Sequence, residues 1–255
     1  METNNSHQGE WSDRPTKDNS IFFGGVASVE DMVELANTTK TNPWFNMPHQ
    51  ATDEYVTNFA NYVKENLDPE LKVYVEYSNE VWGGFGQGWW VEQQGKSEFS
   101  DSKEGNFAKR MDWFSKRTTE ITQIWDEVYQ EEKERVIGVM GVQAANTWTA
   151  KRALNYHWTD NPLSHEEYGI DAVGIGPYFG RYLGKPYFAS QMKEWLDSDD
   201  PDLPLDNLFE EITVGGVLKH APAKGKGALQ EAYNWTENYV DIAEEQELDL
   251  SLIHI

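Results

Sequence analysis

The chain has 255 residues, a formal net charge of −23, 11 tryptophans and no cysteine. The lack of cysteine excludes disulfides, cysteine-ligated zinc and thiol catalysis, and so acidic a chain is poorly suited to nucleic acid or an anionic membrane. No apolar run approaches the roughly 18 residues that a membrane span requires, and we expect no nucleic-acid partner and no membrane partner.

Apolar runs alternate with helical patterns along the chain, which is typical of βαβ units around a parallel sheet. The sequence predicts a helix capped by Ser28, a short strand over Pro43–Met47, and a helix over Thr52–Asn66. The clearest strand is Lys72–Ser78, in which β-branched and aromatic residues alternate with polar ones. A long loop rich in glycine and tryptophan is predicted to follow, over about Val81–Gly105.

The second half of the chain continues the alternation. Its predicted elements are a long helix over about Asn106–Lys133, strands over Arg135–Val142 and Asp171–Pro177, a long loop over Tyr178–Asp206, helices over about Leu208–Lys219 and Lys226–Glu245, and a strand beginning at Glu247–Leu250. Four strands and the start of a fifth predict either a doubly wound sheet or a barrel. No glycine-rich phosphate loop follows any strand, which argues against a nucleotide-binding fold.

The strand that leads to Glu80 carries the most informative side chains. Strand alternation predicts that Tyr74, Glu76, Ser78 and Glu80 share one face, with Glu80 at the carboxyl end, where a barrel places its catalytic residues. A glutamate there can protonate a leaving oxygen. Glu76 lies roughly 13 Å along the strand from Glu80, too far for the second carboxylate of a retaining glycosidase. We expect it to point into the interior and to bond to a cationic or hydroxyl group.

The segment Glu76–Trp82, EYSNEVW, resembles the end of the fourth barrel strand in clan A glycoside hydrolases, which carries an Asn-Glu pair. The resemblance implies that Glu80 is the general acid/base and that Asn79 holds the sugar 2-hydroxyl. It also places Tyr178 just after the sixth strand, where the clan often has a tyrosine that orients the nucleophile. The implied fold is α/β, a partial (β/α)8 TIM barrel over residues 1–250, with strands three to six complete and strand seven only begun.

The segments PWFNMPHQ and YVEYSNEVW together are similar to catalytic regions that stand beside cellulose-binding modules in marine bacterial proteins. This resemblance implies a carbohydrate substrate as the partner and a carbohydrate-binding module elsewhere in the full-length chain. It also implies a secreted or extracellular full-length protein, although no signal peptide precedes the first polar residues of this chain.

Four further residues are candidates for sugar contact. Trp44 and His49 close the predicted third barrel strand and could line a sugar subsite, although a surface or capping role for His49 is equally open. Of the tryptophans in the glycine-rich loop, we expect Trp82 near the sugar and one or two others packed against the protein. Trp148, beyond the predicted fifth strand, is open between sugar contact and packing.

In clan A the nucleophilic glutamate ends the seventh strand. After Glu247, which precedes the last predicted strand, the sequence contains no glutamate. The final residues 251–255, SLIHI, resemble translated read-through of a sequencing adaptor, and we expect them to be a non-native tail. These features imply a chain truncated at both ends that is inactive as it stands and, because its barrel is open, poorly soluble.

Three functions remain in view. The first is a fragment of a retaining O-glycoside hydrolase acting on a β-linked polysaccharide or oligosaccharide. The second is a non-catalytic carbohydrate-binding domain on a degenerate barrel. The third, a metal-dependent barrel hydrolase, is disfavoured because the 6 histidines show neither HxH nor HExxH spacing. We therefore expect no metal and no cofactor.

Overall fold

The computed structural model describes residues 4–19, 27–157, 164–221 and 226–252. The chain divides into two compact units, one formed by residues 1–175 and 242–253 and the other by residues 176–241 and 254–255. The first unit contains the sheet, and the second is built from helices and turns. The assignment of residues 1–250 to a single domain stays a prediction.

Five parallel strands form the sheet of the first unit. They are β1 (Trp44–Met47), β2 (Val73–Tyr77), β3 (Val136–Val142), β4 (Ile170–Ile175) and β5 (Asp249–Leu252). Strands that are neighbours in the chain are neighbours in the sheet, in the order β1-β2-β3-β4-β5. The prediction of an α/β fold with a parallel sheet is confirmed. The order never reverses, whereas a doubly wound sheet has a point at which it does.

Eight α-helices lie within the described residues. They are α1 (Val29–Thr39), α2 (Asp53–Asn66), α3 (Gly86–Glu98), α4 (Asn106–Tyr129), α5 (Thr147–Leu154), α6 (Ala189–Leu196), α7 (Leu203–Thr213) and α8 (Ala228–Glu245). In a sheet wound in one direction, right-handed crossovers place the connecting helices on one face. In the first unit α4 packs on β2 and β3, and α5 packs on β3. Within the described part of the chain, no helix is both long and apolar enough to cross a membrane.

The helix caps and the core follow from the sequence pattern. The hydroxyl of Ser28 accepts the backbone N–H of the third residue of α1, and the hydroxyl of Thr52 does the same for α2. The apolar stripe of α2 turns Phe59 toward the sheet, where its ring lies 5.1 Å from Phe45 of β1 and 6.0 Å from Trp125 of α4. Each of these fully buried rings contributes about 2 kcal/mol or more to the core.

The prediction of a loop over Val81–Gly105 is wrong for the centre of that segment, which forms the helix α3. Its glycines allow α3 to approach its neighbours closely. A Cβ at Gly88 would lie 2.5 Å from the carbonyl oxygen of Gly83, and a Cβ at Gly95 would collide with the carbonyl of Lys109 in α4. Glycine has a low helix propensity, so the sequence of such a segment predicts a loop.

The second unit has its own small core. Phe188, Leu218 and Ala221 are buried together, with Met192 and Trp195 packed against them. The predicted loop over residues 178–206 is therefore wrong in part, since it holds two 3₁₀ turns, α6 and the start of α7. The helix predicted over residues 226–245 is confirmed as α8.

The last strand begins at Asp249, inside the segment Glu247–Leu250 where the sequence predicts that a strand begins. β5 starts just after Glu247, which precedes the strand as predicted. Ser251 and Leu252, two residues of the expected non-native tail, pair with Gly174 and Ile175 of β4. Residues 253–255, the rest of that tail, lie outside the described residues.

The close contact of α3 with α4 makes Gly95→Ala a sharp test of the packing. In an open helix this change would stabilise by about 1 kcal/mol. Here the added methyl group meets a backbone carbonyl that cannot move aside, and we expect a net loss of about 1–2 kcal/mol in the free energy of unfolding, measured with urea.

The matched control is Gly84→Ala. A Cβ at Gly84 has no atom within 4 Å, so this variant should stay within about 0.5 kcal/mol of the wild type. A Gly95→Ala protein more stable than the wild type would contradict the close approach of the two helices.

Candidate active site

The site is built on the face of β1 and β2 that points away from the helices. Tyr77 of β2 turns toward α4, where its ring lies 5.9 Å from Trp113. Because side chains alternate along a strand, Tyr74 and Glu76 point to the opposite face. The register pairs Tyr74 with Trp44 and Glu76 with Asn46 of β1, so these four side chains share that face.

Glu76 is the buried centre of this group, with 4% of its surface exposed. Its Oε2 accepts hydrogen bonds from the indole Nε1 of Trp44 at 3.0 Å and from the amide Nδ2 of Asn46 at 2.8 Å. Its Oε1 occupies the space where Gly141 of β3 lacks a side chain. Tyr74 stacks on the Trp44 ring with centroids 5.2 Å apart. The expected cationic or hydroxyl partner of Glu76 is therefore wrong, because both donors are neutral N–H groups.

Burial raises the pKa of Glu76 to about 7, well above its ordinary 4.5. The hydrogen bonds from Trp44 and Asn46 act in the opposite direction because they stabilise the ionised form, and the nearby charge of Glu80 adds a small further rise in the pKa. Near neutral pH the protonated and the ionised form of the Glu76 carboxyl are therefore both populated.

The chain leaves β2 through a strained turn. The strand ends at Tyr77, and Ser78 and Glu80 both adopt left-handed backbone conformations, with φ of 61° and 44°. The predicted alternation through Ser78 to Glu80 is therefore wrong, because the backbone turns before it reaches them. Each such residue costs on the order of 1 kcal/mol, and strain of this kind concentrates at functional sites.

Hydrogen bonds hold the carbonyls of this turn from several directions. The carbonyl of Ser78 accepts the amide Nδ2 of Asn46 at 2.7 Å, and that of Asn79 accepts the amide Nε2 of Gln87 at 2.7 Å. The carbonyl of Glu80 accepts the backbone N–H three residues later at 2.8 Å. The orientation of Glu80 is thus fixed both by the sheet and by α3.

One buried arginine holds the next three carbonyls. The Nη1 of Arg110 donates to the carbonyls of residues 81, 82 and 83 at 3.3, 3.5 and 3.1 Å. Its Nη2 forms an ion pair with Glu92 of α3. All six successive carbonyls from Ser78 to Gly83 therefore have a donor, which restricts the motion of the turn.

The side chains of the Asn-Glu pair are placed differently. The Nδ2 of Asn79 donates to the Oδ1 of Asn4 at 3.1 Å, so the amide that the resemblance assigns to a sugar hydroxyl contacts the amino-terminal segment. Glu80 is half-buried, and within the described part of the chain its carboxylate makes no hydrogen bond and no ion pair. It is therefore available to a ligand.

Two of the predicted sugar contacts lie elsewhere than expected. Trp44 is the first residue of β1, so it stands at the amino end of the strand and does not close it. His49 follows the carboxyl end of β1 but is only 3% exposed, with its ring against Trp90 at 5.5 Å, so a surface position is wrong. Burial lowers the pKa of His49 to about 4. Sugar contact by either residue stays a prediction.

The other aromatic candidates are partly or largely accessible. Trp82 is half-buried in the turn after Glu80, whereas Trp90 packs against Trp113 with ring centroids 5.3 Å apart, as expected for one tryptophan of this segment. Trp148 is 42% exposed in the first turn of α5. Tyr178 follows β4 as predicted, belongs to the second unit and is 48% exposed, and its role toward a nucleophile stays a prediction.

Sequence reasoning missed Asn46, Gln87 and Arg110, which hold the turn. Asn46 and Gln87 carry no local signal, because their partners lie 32 and 8 residues away. Arg110 did carry one. It stands three residues after Phe107 and four before Phe114, inside the apolar stripe of α4, and a cation in such a stripe requires buried acceptors.

The carboxyl ends of β1–β4 contain one acidic side chain. In the three residues that follow each of β1, β2, β3 and β4, Glu80 is the single carboxylate. No group of three or more metal-ligating side chains stands together in the described ranges. No family model, no curated protein and no solved structure matches the chain.

The raised pKa of Glu76 predicts a specific dependence of stability on pH. Between about pH 4.5 and about pH 7 the folded state keeps the proton that the unfolded state has lost. The contribution of Glu76 is thus fully present below pH 4.5 and is lost as the pH rises through 7. The loss is on the order of 3 kcal/mol.

Glu76→Gln keeps an oxygen acceptor and cannot ionise. We expect its free energy of unfolding, relative to wild type, to rise by a few kcal/mol between about pH 5 and about pH 8, measured with urea at both values. Glu65→Gln, on the exposed side of α2, is the control and should show no such rise. A relative stability of Glu76→Gln that is independent of pH would contradict the raised pKa.

Proposed function

We propose that the chain is part of a retaining O-glycoside hydrolase that acts on a β-linked polysaccharide or oligosaccharide, with Glu80 as its general acid/base. One observation carries the proposal. Glu80 is the third residue after the end of the parallel strand β2, in a strained turn whose carbonyls are all hydrogen-bonded, while its own carboxylate bonds to no described residue. A catalytic group benefits from such an arrangement, because a rigid backbone orients a side chain that remains free to react.

In the proposed reaction one carboxyl group acts first as an acid and then as a base. Glu80 donates its proton to the leaving glycosidic oxygen and then, as a carboxylate, takes a proton from the water that releases the sugar. The reaction also needs a second carboxylate about 5–5.5 Å away as nucleophile. The carboxyl ends of β1–β4 supply none, so in this proposal it comes from another strand.

The fold that we propose is part of a (β/α)8 barrel. The five parallel strands in uninterrupted chain order are what one wall of such a barrel requires. In this proposal β1–β4 are the third to sixth strands and β5 begins the seventh. The Asn-Glu pair at residues 79 and 80 then ends the fourth strand, in agreement with the resemblance to clan A.

The partner in this proposal is a carbohydrate. Trp82 stands two residues after Glu80 in the same turn and is half-buried, and flat rings suit the C–H faces of sugars. A polymeric substrate lies outside the cell, so we also propose that the full-length protein is secreted and carries a carbohydrate-binding module elsewhere.

A second candidate is a non-catalytic carbohydrate-binding domain. It is favoured by the single carboxylate at the described strand ends and by the exposed rings of Trp89 and Trp148, which are 56% and 42% exposed. In that case Glu80 would have no proton to transfer and would contribute little to binding.

Sugar-derived imidazoles separate the two candidates without requiring a nucleophile. In these ligands a ring nitrogen lies where the glycosidic oxygen of a substrate would lie, and it accepts the proton of a general acid. We expect one of the gluco-, galacto- or manno-configured compounds to bind, and Glu80→Gln to weaken that binding about tenfold or more. The physical reason is the loss of a charge-assisted hydrogen bond. The measurement is isothermal titration calorimetry.

The parent disaccharide, which has no basic nitrogen, and the variant Glu65→Gln serve as controls and should show little change. If Glu80→Gln binds the imidazole as tightly as the wild type, Glu80 is not a general acid and the binding-domain candidate is preferred.

A further inference from the structure

A groove along α5 combines aromatic and basic side chains. It has a volume of about 490 Å³ and lies within the first unit. Its lining residues are Trp148, Lys151, Arg152, Asn155, Tyr156 and His157. The chain as a whole has 44 Asp and Glu residues against 21 Lys and Arg, yet the described lining contains one lysine, one arginine, one histidine and no carboxylate. The groove is therefore lined by basic side chains, whereas the protein as a whole is acidic.

The aromatic part of the groove is an accessible indole face. Trp148 stacks on Phe107 of α4 with ring centroids 5.4 Å apart and planes inclined by 22°. Phe107 covers one face of the indole, and Trp148 as a whole remains 42% exposed. Phe107 holds the indole ring in place from one side, so the other, uncovered face can stack on a flat apolar ligand surface.

The basic side chains are held in different ways. Arg152 forms a two-point ion pair with the buried carboxylate of Asp112, at 2.6 and 2.7 Å, which fixes its guanidinium as part of the wall. Its Nη1 also lies 3.9 Å from the carboxylate of Glu104, so the charge of Arg152 is compensated. Lys151 is exposed, and its ammonium has no hydrogen bond or ion pair to any residue that the structure describes. His157 is exposed and stacks on His165 at 6.4 Å. The positive charge that remains uncompensated is thus that of Lys151.

The groove is distinct from the site at Glu80. Glu80 follows β2, whereas Trp148 opens the helix that follows β3. Trp148 stands at the start of α5, near the carboxyl end of β3, and the helix then returns the chain toward the amino ends of the strands, so the lining from Lys151 to His157 leads away from the edge that carries Glu80. An eight-residue helix spans about 12 Å, which is enough for two sugar units side by side.

We propose that this groove is a second carbohydrate-binding site, and that it takes a sugar unit bearing a carboxylate or a sulfate group. The sugar ring stacks on Trp148 and its anionic group meets the ammonium of Lys151. This proposal rests on the proposed function in that it takes the ligand to be a saccharide, and it adds the class of saccharide and a place where the chain holds it outside the Glu80 site.

The test compares three hexasaccharides: a galacturonate hexamer, a sulfated galactose hexamer and neutral cellohexaose. Binding is measured by calorimetry and by the shift of the Trp148 indole N–H signal in NMR spectra. We expect at least one anionic hexamer to bind and to shift that signal, and cellohexaose to bind at least about fivefold more weakly at this place. A response to the galacturonate hexamer identifies a carboxylate ligand, and a response to the galactose hexamer a sulfate ligand.

Two variants locate the binding. Trp148→Ala should weaken the affinity for the anionic hexamer about tenfold, and Lys151→Glu at least about fivefold. Both side chains are exposed, so neither change should unfold the protein. The matched controls are Tyr187→Ala, which removes an aromatic ring that is 65% exposed and lies outside the groove, and Lys133→Glu, an equal charge reversal outside the groove; neither should change the affinity.

The proposal is overturned if neither anionic hexamer binds, if both groove variants bind as tightly as the controls, or if cellohexaose binds the groove as tightly as the anionic hexamers. Glu80→Gln should leave groove binding unchanged. Groove binding that persists without an imidazole response at Glu80 contradicts only the hydrolase function, and the reverse result contradicts only the groove.

Discussion

The hydrogen bonds that two neighbouring side chains of β1 make to the buried carboxylate of Glu76 are the interaction on which the site depends. Asn46 divides its amide N–H groups between Glu76 and the carbonyl of Ser78, so one side chain ties the interior of the sheet to the turn after β2. A buried carboxylate without donors would cost several kcal/mol. The carboxylate of Glu76 thus needs the N–H donors of Trp44 and Asn46 in order to be buried. Because Asn46 also binds the carbonyl of Ser78, the same side chains set the path of the backbone toward Glu80.

The turn itself stores strain that its surroundings offset. Left-handed conformations at Ser78 and Glu80 together cost on the order of 2 kcal/mol. The hydrogen bonds from Asn46, Gln87 and Arg110 each contribute about 1 kcal/mol or more. Support therefore comes from the sheet on one side and from α3 and α4 on the other, and α3 can supply its part because its glycines let it pack closely against α4.

Much of the fold could be predicted from the sequence, because its signals are local. The alternation in β2, the apolar runs of β3 and β4, and the caps Ser28 and Thr52 depend on residues a few positions apart, and they determine the parallel α/β sheet. That Glu80 lies near the carboxyl end of a strand could be predicted for the same reason, although the turn at Ser78 that precedes it could not. The helix α3 could not, because its glycines are explained only by the contact with α4, which is distant in sequence.

The environment of each candidate side chain was harder to predict than its position. Glu76 and Trp44 are 32 residues apart, and only the strand register brings the indole to the carboxylate. The sequence predicts that His49 lies in a loop, but in the folded protein its packing against Trp90 buries the side chain. A side chain in a loop has no periodic pattern to indicate its exposure, so sequence alone leaves both alternatives open.

Charge also explains how a chain with a net charge of −23 could hold an anionic sugar. At physiological ionic strength the field of exposed charges is screened beyond roughly 8 Å, so distant surface carboxylates repel a ligand only weakly. The ammonium of Lys151 acts at contact, where screening is least, and the described residues that line the groove include no carboxylate. Higher salt weakens both the repulsion by the distant carboxylates and the attraction by Lys151, but the long-range repulsion declines first. Moderate salt should therefore favour an anionic ligand at the groove, whereas low salt lets the net charge oppose its approach.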